Sequence, residues 1–182
     1  MPDVVKIDEL EFVKLIEARE IARRNEVLAS QLNSAIGDKN PLFVVVLNGA
    51  FIFAADLLRH FEQECDIIFV DAKSYEGIKP NEDIEVVAKS IQKVKDRLVV
   101  IVEDIVDTGH TIKVIKSICE ENGAQEIKTV SFLSKPSAIK HDISVDYVGF
   151  EISQLFVIGY GLDYKNKGRN LRDIYQIRPI IK

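Results

Sequence analysis

Cysteine is nearly absent from the sequence, and its scarcity excludes two classes of protein. Cys65 and Cys119 lie in apolar surroundings, without metal-ligand spacing and too few for a disulfide scaffold. They read as buried free thiols of a protein in a reducing, cytoplasmic compartment. Long apolar runs are missing too. No apolar stretch reaches the roughly eighteen residues a membrane span needs, and the amino-terminal MPDVVKIDELEF has no signal-peptide pattern, so no membrane partner is expected. Excess positive charge is also lacking. The 24 Lys and Arg against 29 Asp and Glu leave a net charge of −5, which argues against a nucleic-acid partner, since non-specific affinity needs clustered cations. Low-complexity tracts, Pro/Gly-rich linkers and internal repeats are absent, so residues 1–182 read as one domain.

What is present is a core and an alternation of elements. Hydrophobic residues make up 47% of the chain, enough for a well-buried α/β domain. Residues 8–34 have helical periodicity through Leu10, Val13, Ile16, Ile21, Val27, Leu28 and Leu32, ending near Gly37 and Pro41. Strands are expected over 42–47, 66–72, 84–88 and 98–102, helices over 51–61 and 111–121, and a polar loop with Gly77 and Pro80 over 74–83. Further strands are expected over 127–133, 145–148 and 156–159, with a last one near 175–180. Strands alternating with helices predict an α/β fold, a doubly wound and mainly parallel central sheet flanked by helices. The strand- and loop-rich tail after residue 134 is expected to form most of a small hood over that sheet.

The most informative segment is Val99-Val100-Ile101-Val102-Glu103-Asp104-Ile105-Val106-Asp107-Thr108-Gly109-His110-Thr111. Its β-branched start reads as a strand covered on both faces. Glu103 and Asp104 then stand where open α/β sheets place ligands. As ionised acceptors they suit a partner made of donors, either sugar hydroxyls or a hydrated metal ion. Asp107, Thr108, Gly109, His110 and Thr111 offer amides and hydroxyls where a helix begins, a setting that accepts a phosphate. Helix capping by Asp107 or Thr108 is the plainer alternative, but it leaves the acidic pair unexplained.

These residues resemble the signature of the type I phosphoribosyltransferases, and the form Val102-Glu103-Asp104-Ile105-Val106-Asp107-Thr108-Gly109 is particularly similar to their hypoxanthine-guanine branch. Four further segments carry the resemblance. Leu47-Asn48-Gly49 resembles the pyrophosphate loop, often built around a non-proline cis peptide; Asn48 replaces the lysine of many relatives, keeping polar contacts and losing a charge. Ser74-Tyr75 is similar to the mobile lid that closes over the site and excludes water. Lys135, ending Ser131-Phe132-Leu133-Ser134-Lys135-Pro136, resembles the lysine that donates to the exocyclic oxygen of a 6-oxopurine. Beyond it, Ile139 and Lys140 stand where relatives place arginines, and no arginine role passes to them. In the fourth segment Phe156 resembles the aromatic that stacks on the purine and Val157 the residue whose backbone meets the base edge. Asp163 resembles the magnesium-associated carboxylate and Arg169 the diphosphate-binding arginine.

The resemblance thus implies a Mg2+-dependent transfer of phosphoribosyl from phosphoribosyl pyrophosphate (PRPP) to a 6-oxopurine, giving IMP or GMP and pyrophosphate. Glu103 and Asp104 would hold the ribose and, with Asp163, the metal. Residues 107–111 would hold the 5′-phosphate, with Asp107 as general base. A homodimer or homotetramer is expected, with apolar residues of the first helix and around Phe51 available for the interface. Two other classes fit the sequence less well. A PRPP-sensing nucleic-acid regulator needs a basic surface that this acidic chain lacks. A haloacid-dehalogenase-type hydrolase spaces its aspartates by one residue, where Asp104 and Asp107 are separated by two, and leaves Lys135, Phe156, Asp163 and Arg169 unexplained.

Overall fold

The computed structural model describes residues 2–74, 84–87 and 91–178. The chain opens with a hairpin, β1 (Val4–Ile7) and β2 (Leu10–Ile16), turned at Asp8, whose φ is 53°. The helix expected from residue 8 starts only at Ala18. Leu10, Val13 and Ile16 mimic a helical stripe, but residues 11–16 also fit a two-faced strand, with Phe12 and Ile16 buried and Glu11 and Leu15 exposed. Pairing of β2 with a distant strand settles the conflict in favour of the sheet, as tertiary partners commonly do. Helix α1 (Ala18–Ile36) then begins where Glu20 accepts the Glu17 N–H at 3.0 Å and Asp173 accepts the Ala18 N–H at 2.8 Å.

The central sheet contains β3 (Leu42–Leu47), β4 (Asp66–Ser74), β5 (Ile84–Val87), β6 (Leu98–Val106), β7 (Glu126–Ser134) and β8 (Tyr147–Glu151), in the order β5-β4-β3-β6-β7-β8. Five strands are parallel and the edge strand β5 is antiparallel to β4. Helices α1 and α2 (Phe51–Leu58) pack on one face and α3 (His110–Glu121) on the other. This arrangement explains the unbroken apolar runs of β3 and β6. Phe43, Val45, Val100 and Val102 face α1 and α2, while Leu42, Val44, Val99 and Ile101 face Ile112, Ile115 and Cys119 of α3. Phe132 of β7 sits in the first layer, its ring 4.8–5.7 Å from those of Tyr160, Phe53 and Phe150.

The hood is an antiparallel sheet ordered β1-β2-β10-β9, with β9 (Val157–Ile158) and β10 (Ile174–Ile177). The tail supplies two of these strands as expected, and the amino-terminal hairpin supplies the other two. Phe12, Ile158 and Tyr175 form its small core. Among the described residues no helix is long and apolar enough to cross a membrane.

Truncating a fully buried aromatic at the meeting of three rings leaves a cavity. Phe132→Ala is expected to lower unfolding free energy by about 3–5 kcal/mol, measured by urea denaturation. A loss below about 1 kcal/mol would contradict the central place given to Phe132.

Candidate active site

The sheet reverses its winding at β3, because the chain adds β4 on one side of that strand and β6 on the other. In open α/β sheets the crevice at such a switch point, beyond the carboxyl ends of the strands, is where ligands bind. Here the crevice has a definite origin. Pairing of β3 with β6 ends at Val45 and Val102, while β3 continues against β4 to Leu47 and β6 continues against β7 to Val106. The two strands part, and Leu47-Asn48-Gly49 faces Glu103 and Asp104 across the opening.

The sides of that opening touch at one point. A β-carbon on Gly49 would lie 1.4 Å from Asp104 Oδ2, so only glycine lets the loop backbone pass the carboxylate. The Leu47–Asn48 peptide bond is cis, as the resemblance implied. Asp104 Oδ1 accepts the Ile105 N–H at 2.7 Å. Glu103 is buried, with 5% exposure, and its Oε2 has no hydrogen-bond partner. An orphaned carboxylate oxygen beside a second carboxylate suits sugar hydroxyls or a divalent cation that completes its shell from substrate phosphates.

Beyond the strand ends the turn of residues 107–111 and Lys135 come together. Ser134 pairs with Val106 and the Lys135 N–H continues the ladder to the Val106 carbonyl at 2.9 Å, so Lys135 and Asp107 leave adjacent strands at the same level. The Lys135 ammonium, with 9% side-chain exposure, is 2.8 Å from Asp107 Oδ2. The capping alternative holds for Thr108, whose Oγ1 accepts the N–H of the first residue of α3, and fails for Asp107. Asp107 is engaged by Lys135, and the residue before α3 is Gly109 in the left-handed conformation, φ 84°, with no side-chain cap. Thr108 Oγ1 accepts the His110 N–H at 3.3 Å, and the first-turn amides of α3 open onto a cavity of about 70 Å³ lined by Glu103 and residues 105–112. Larger clefts lie elsewhere. The one of about 640 Å³ by Lys39 and Arg97 is at the amino ends of the strands, and its cations are already paired with Glu126 and Asp66.

Asp163 and Arg169 are brought together. Arg169 Nη2 is 2.6 Å from Asp163 Oδ1 and its Nη1 donates to the Gly161 carbonyl at 2.7 Å. Gly161, φ 101°, packs so tightly on the Gly49 carbonyl that a β-carbon would come within 2.1 Å. The arginine is thereby anchored to the Leu47-Asn48-Gly49 loop. Asp163 also accepts the Asn166 N–H at 2.6 Å, and it does not join Glu103 and Asp104: among the described residues no three His, Cys, Asp or Glu side chains gather around one point. The metal set expected from the sequence therefore divides into the Glu103-Asp104 pair and an Arg169-bound Asp163. Phe156 is 44% exposed, edge-on to Tyr164, while Val157 is buried. Ser74 ends β4, and Tyr75 lies outside the described residues.

One supporting network was not evident from the sequence. Tyr160 Oη donates to Asp56 Oδ2 at 2.7 Å and accepts from Asn25 Nδ2 at 2.6 Å, tying the segment before Asp163 to α1 and α2. Burial, then the Asp56 hydrogen bond, pushes the phenol upward, so it stays a neutral donor. A tyrosine between two glycines was the available signal.

Residues 13–165 match the phosphoribosyl transferase domain family. The chain is 36% identical to the hypoxanthine-guanine phosphoribosyltransferase of Bacillus subtilis (strain 168), covering 92% of this chain and 93% of that protein. It is 37% identical to the enzyme of the same name from Aquifex aeolicus (strain VF5), covering 90% and 93%. A solved hypoxanthine phosphoribosyltransferase from Staphylococcus aureus superposes with a TM-score of 0.86 at 30% identity, covering 97% of this chain and 93% of that one. The chain belongs to the phosphoribosyltransferase family, and it is an enzyme of that class.

Burial, then the neighbouring Asp104 charge, pushes the Glu103 carboxyl well above its usual range. Burial also raises Asp104, opposed by hydrogen bonds from Glu103 and the Ile105 N–H and by the Arg169 charge. The folded state holds the Glu103 proton more tightly than the unfolded chain does. Glu103 therefore favours folding below the ordinary carboxyl range, and that contribution is lost as pH rises through its raised folded value. In EDTA, Glu103→Gln is expected to exceed the wild type in Tm at pH 8, by about 2–4 °C for each kcal/mol relieved, with the gap closing toward pH 4. A variant less stable than wild type at pH 8 would contradict this.

Proposed function

We propose that the enzyme transfers the 5-phosphoribosyl group of PRPP to a 6-oxopurine, hypoxanthine and guanine, giving IMP or GMP and pyrophosphate. The observation that carries this reading is the buried Lys135 ammonium held on Asp107 beside the start of α3. It puts a donor for a purine oxygen, an acceptor for a purine proton and a phosphate-binding turn within a few residues. The relatives' names support the same substrates.

In this mechanism the 5′-phosphate lies on residues 107–111, where the helix amides and dipole stabilise it. Glu103 and Asp104 accept from the ribose hydroxyls, and Arg169 and the Leu47-Asn48-Gly49 backbone bind the diphosphate. Glu103 and Asp104 are the residues that would hold Mg2+, and Asp163, paired with Arg169, stands apart from them on the diphosphate side. When bound, that ion neutralises the diphosphate and makes it a better leaving group. Phe156 stacks on the base and the Val157 backbone meets its edge. Lys135 passes from Asp107 to the purine oxygen, which frees Asp107 to take the N7 proton as N9 attacks C1′ and pyrophosphate departs with the bonding pair. Exposed Phe51, Val27, Ile67 and Phe69 (44–57% accessible) offer the apolar surface for a homodimer or homotetramer.

The direct test is an assay of hypoxanthine, guanine, xanthine and adenine with PRPP and Mg2+. Hypoxanthine and guanine are expected to exceed adenine in kcat/KM by about 10² or more, because Lys135 cannot donate to an amino group. Adenine turnover at a comparable rate would overturn the assignment. Asp107→Asn keeps the shape of the turn and removes the acceptor for the proton, so kcat should fall by about 10² or more. Near wild-type kcat in steady-state kinetics would remove Asp107 from the role of base.

A further inference from the structure

Tyr160 is buried and strained, and it has no part in the mechanism above. Gly159 and Leu162 bond to each other in both directions at 3.0 Å, so Tyr160 and Gly161 are the central pair of a tight turn. Both have positive φ, 49° and 101°. Glycine, asparagine or aspartate usually fills the first of these places, because a bulky side chain is strained there. Strain of this kind persists only where the surroundings over-determine it. Here they do so through the phenol, which donates to Asp56 Oδ2 at 2.7 Å and accepts from Asn25 Nδ2 at 2.6 Å. Asp56 belongs to α2, the helix that follows the Leu47-Asn48-Gly49 loop.

The turn grips Arg169 by both ends. The Gly161 N–H donates to the Arg169 carbonyl at 3.0 Å, and the Gly161 carbonyl accepts from Arg169 Nη1 at 2.7 Å. We propose that Tyr160 is a positioning residue for the diphosphate, acting through Gly161 on Arg169; the proposal rests on the diphosphate reading of that arginine. The phenol ties the strained turn to α2, and the tie sets where the Gly161 carbonyl holds the guanidinium beside the loop. Asp163 also grips Arg169, but it lies on the same segment and shifts with the turn. Two-pronged contact between arginine and phosphate is exacting in geometry, so a small displacement weakens it. The purine side is fixed separately, because β9 pairs with β10 through Val157 and Ile158 and the Phe156 carbonyl accepts the Ile177 N–H at 2.8 Å. Loss of the tie therefore acts on ligands that carry a diphosphate and spares those that do not.

The test is calorimetry with magnesium pyrophosphate and with IMP, and steady-state kinetics with PRPP, on Tyr160→Phe, Asp56→Ala, Asp56→Asn, Arg169→Ala and the Tyr160→Phe/Arg169→Ala double variant. Tyr160→Phe keeps the ring that packs on Phe132 and removes the tie. Kd for pyrophosphate and KM for PRPP should rise by about 3- to 10-fold, the range one hydrogen bond supplies, with Kd for IMP within about twofold of wild type. Asp56→Ala should give the same split, and Asp56→Asn, which keeps an acceptor for the phenol, should stay within about twofold of wild type. Adding Tyr160→Phe to Arg169→Ala should change pyrophosphate affinity by less than about twofold. The proposal is overturned if Tyr160→Phe leaves pyrophosphate and PRPP affinity alone, weakens IMP equally, or acts as strongly without Arg169. Should Tyr160→Phe not fold, Asp56→Ala takes its place under the same criteria, since Asp56 lines an open cleft of about 480 Å³ where water can fill in. Unchanged pyrophosphate affinity in Arg169→Ala would instead sink the underlying diphosphate reading and this proposal with it, a distinguishable failure.

Discussion

The parting of β3 and β6 is the constraint on which the rest of the site depends. The two strands pair only through Val45 and Val102, and each then follows its outer neighbour. The opening between them is spanned where the Asp104 carboxylate lies against the Gly49 backbone. Everything functional is referred to that contact. Gly161 rests on the Gly49 carbonyl and accepts Arg169, and Arg169 holds Asp163. On the other side β7 continues alongside β6, which brings Lys135 to Asp107. A parallel sheet covered on both faces makes this geometry stiff, because the apolar runs of both strands are fixed by α1 and α2 above and α3 below.

Electrostatically the site is two regions with opposite needs. The Glu103-Asp104 pair is buried acid with an unsatisfied oxygen, a poor arrangement for the empty protein and a good one for a partner rich in donors. Lys135 with Asp107 and Arg169 with Asp163 are, by contrast, neutralised pairs. Burying acid without a partner destabilises the fold, and that cost is the kind of local compromise expected at a functional site.

Consecutive features were legible in the sequence and non-consecutive ones were not. The run from Val99 to Thr111 states strand, acids, turn and helix in order, so its arrangement followed from local pattern and known sheet geometry. Residues 8–16 carried two periodicities at once, and pairing decides between them, with β1 beside them and with β10 more than 150 residues away. The hood was accordingly foreseen in its carboxyl half alone. Lys135 and Asp107 were each expected at the site, but their direct ion pair depends on register between β6 and β7. The Tyr160-Asp56-Asn25 network joins residues 135 and 104 positions apart, with no local signature beyond a tyrosine flanked by glycines.

In the proposed mechanism substrate takes over the ion pair at the head of β7. A crystal structure of the complex with IMP measures this directly. Phosphate oxygens are expected on the amides of residues 107–111 and Lys135 Nζ on the purine exocyclic oxygen, with the present 2.8 Å contact to Asp107 Oδ2 broken. IMP bound with its phosphate away from that turn, or with Lys135 still paired to Asp107, would contradict it.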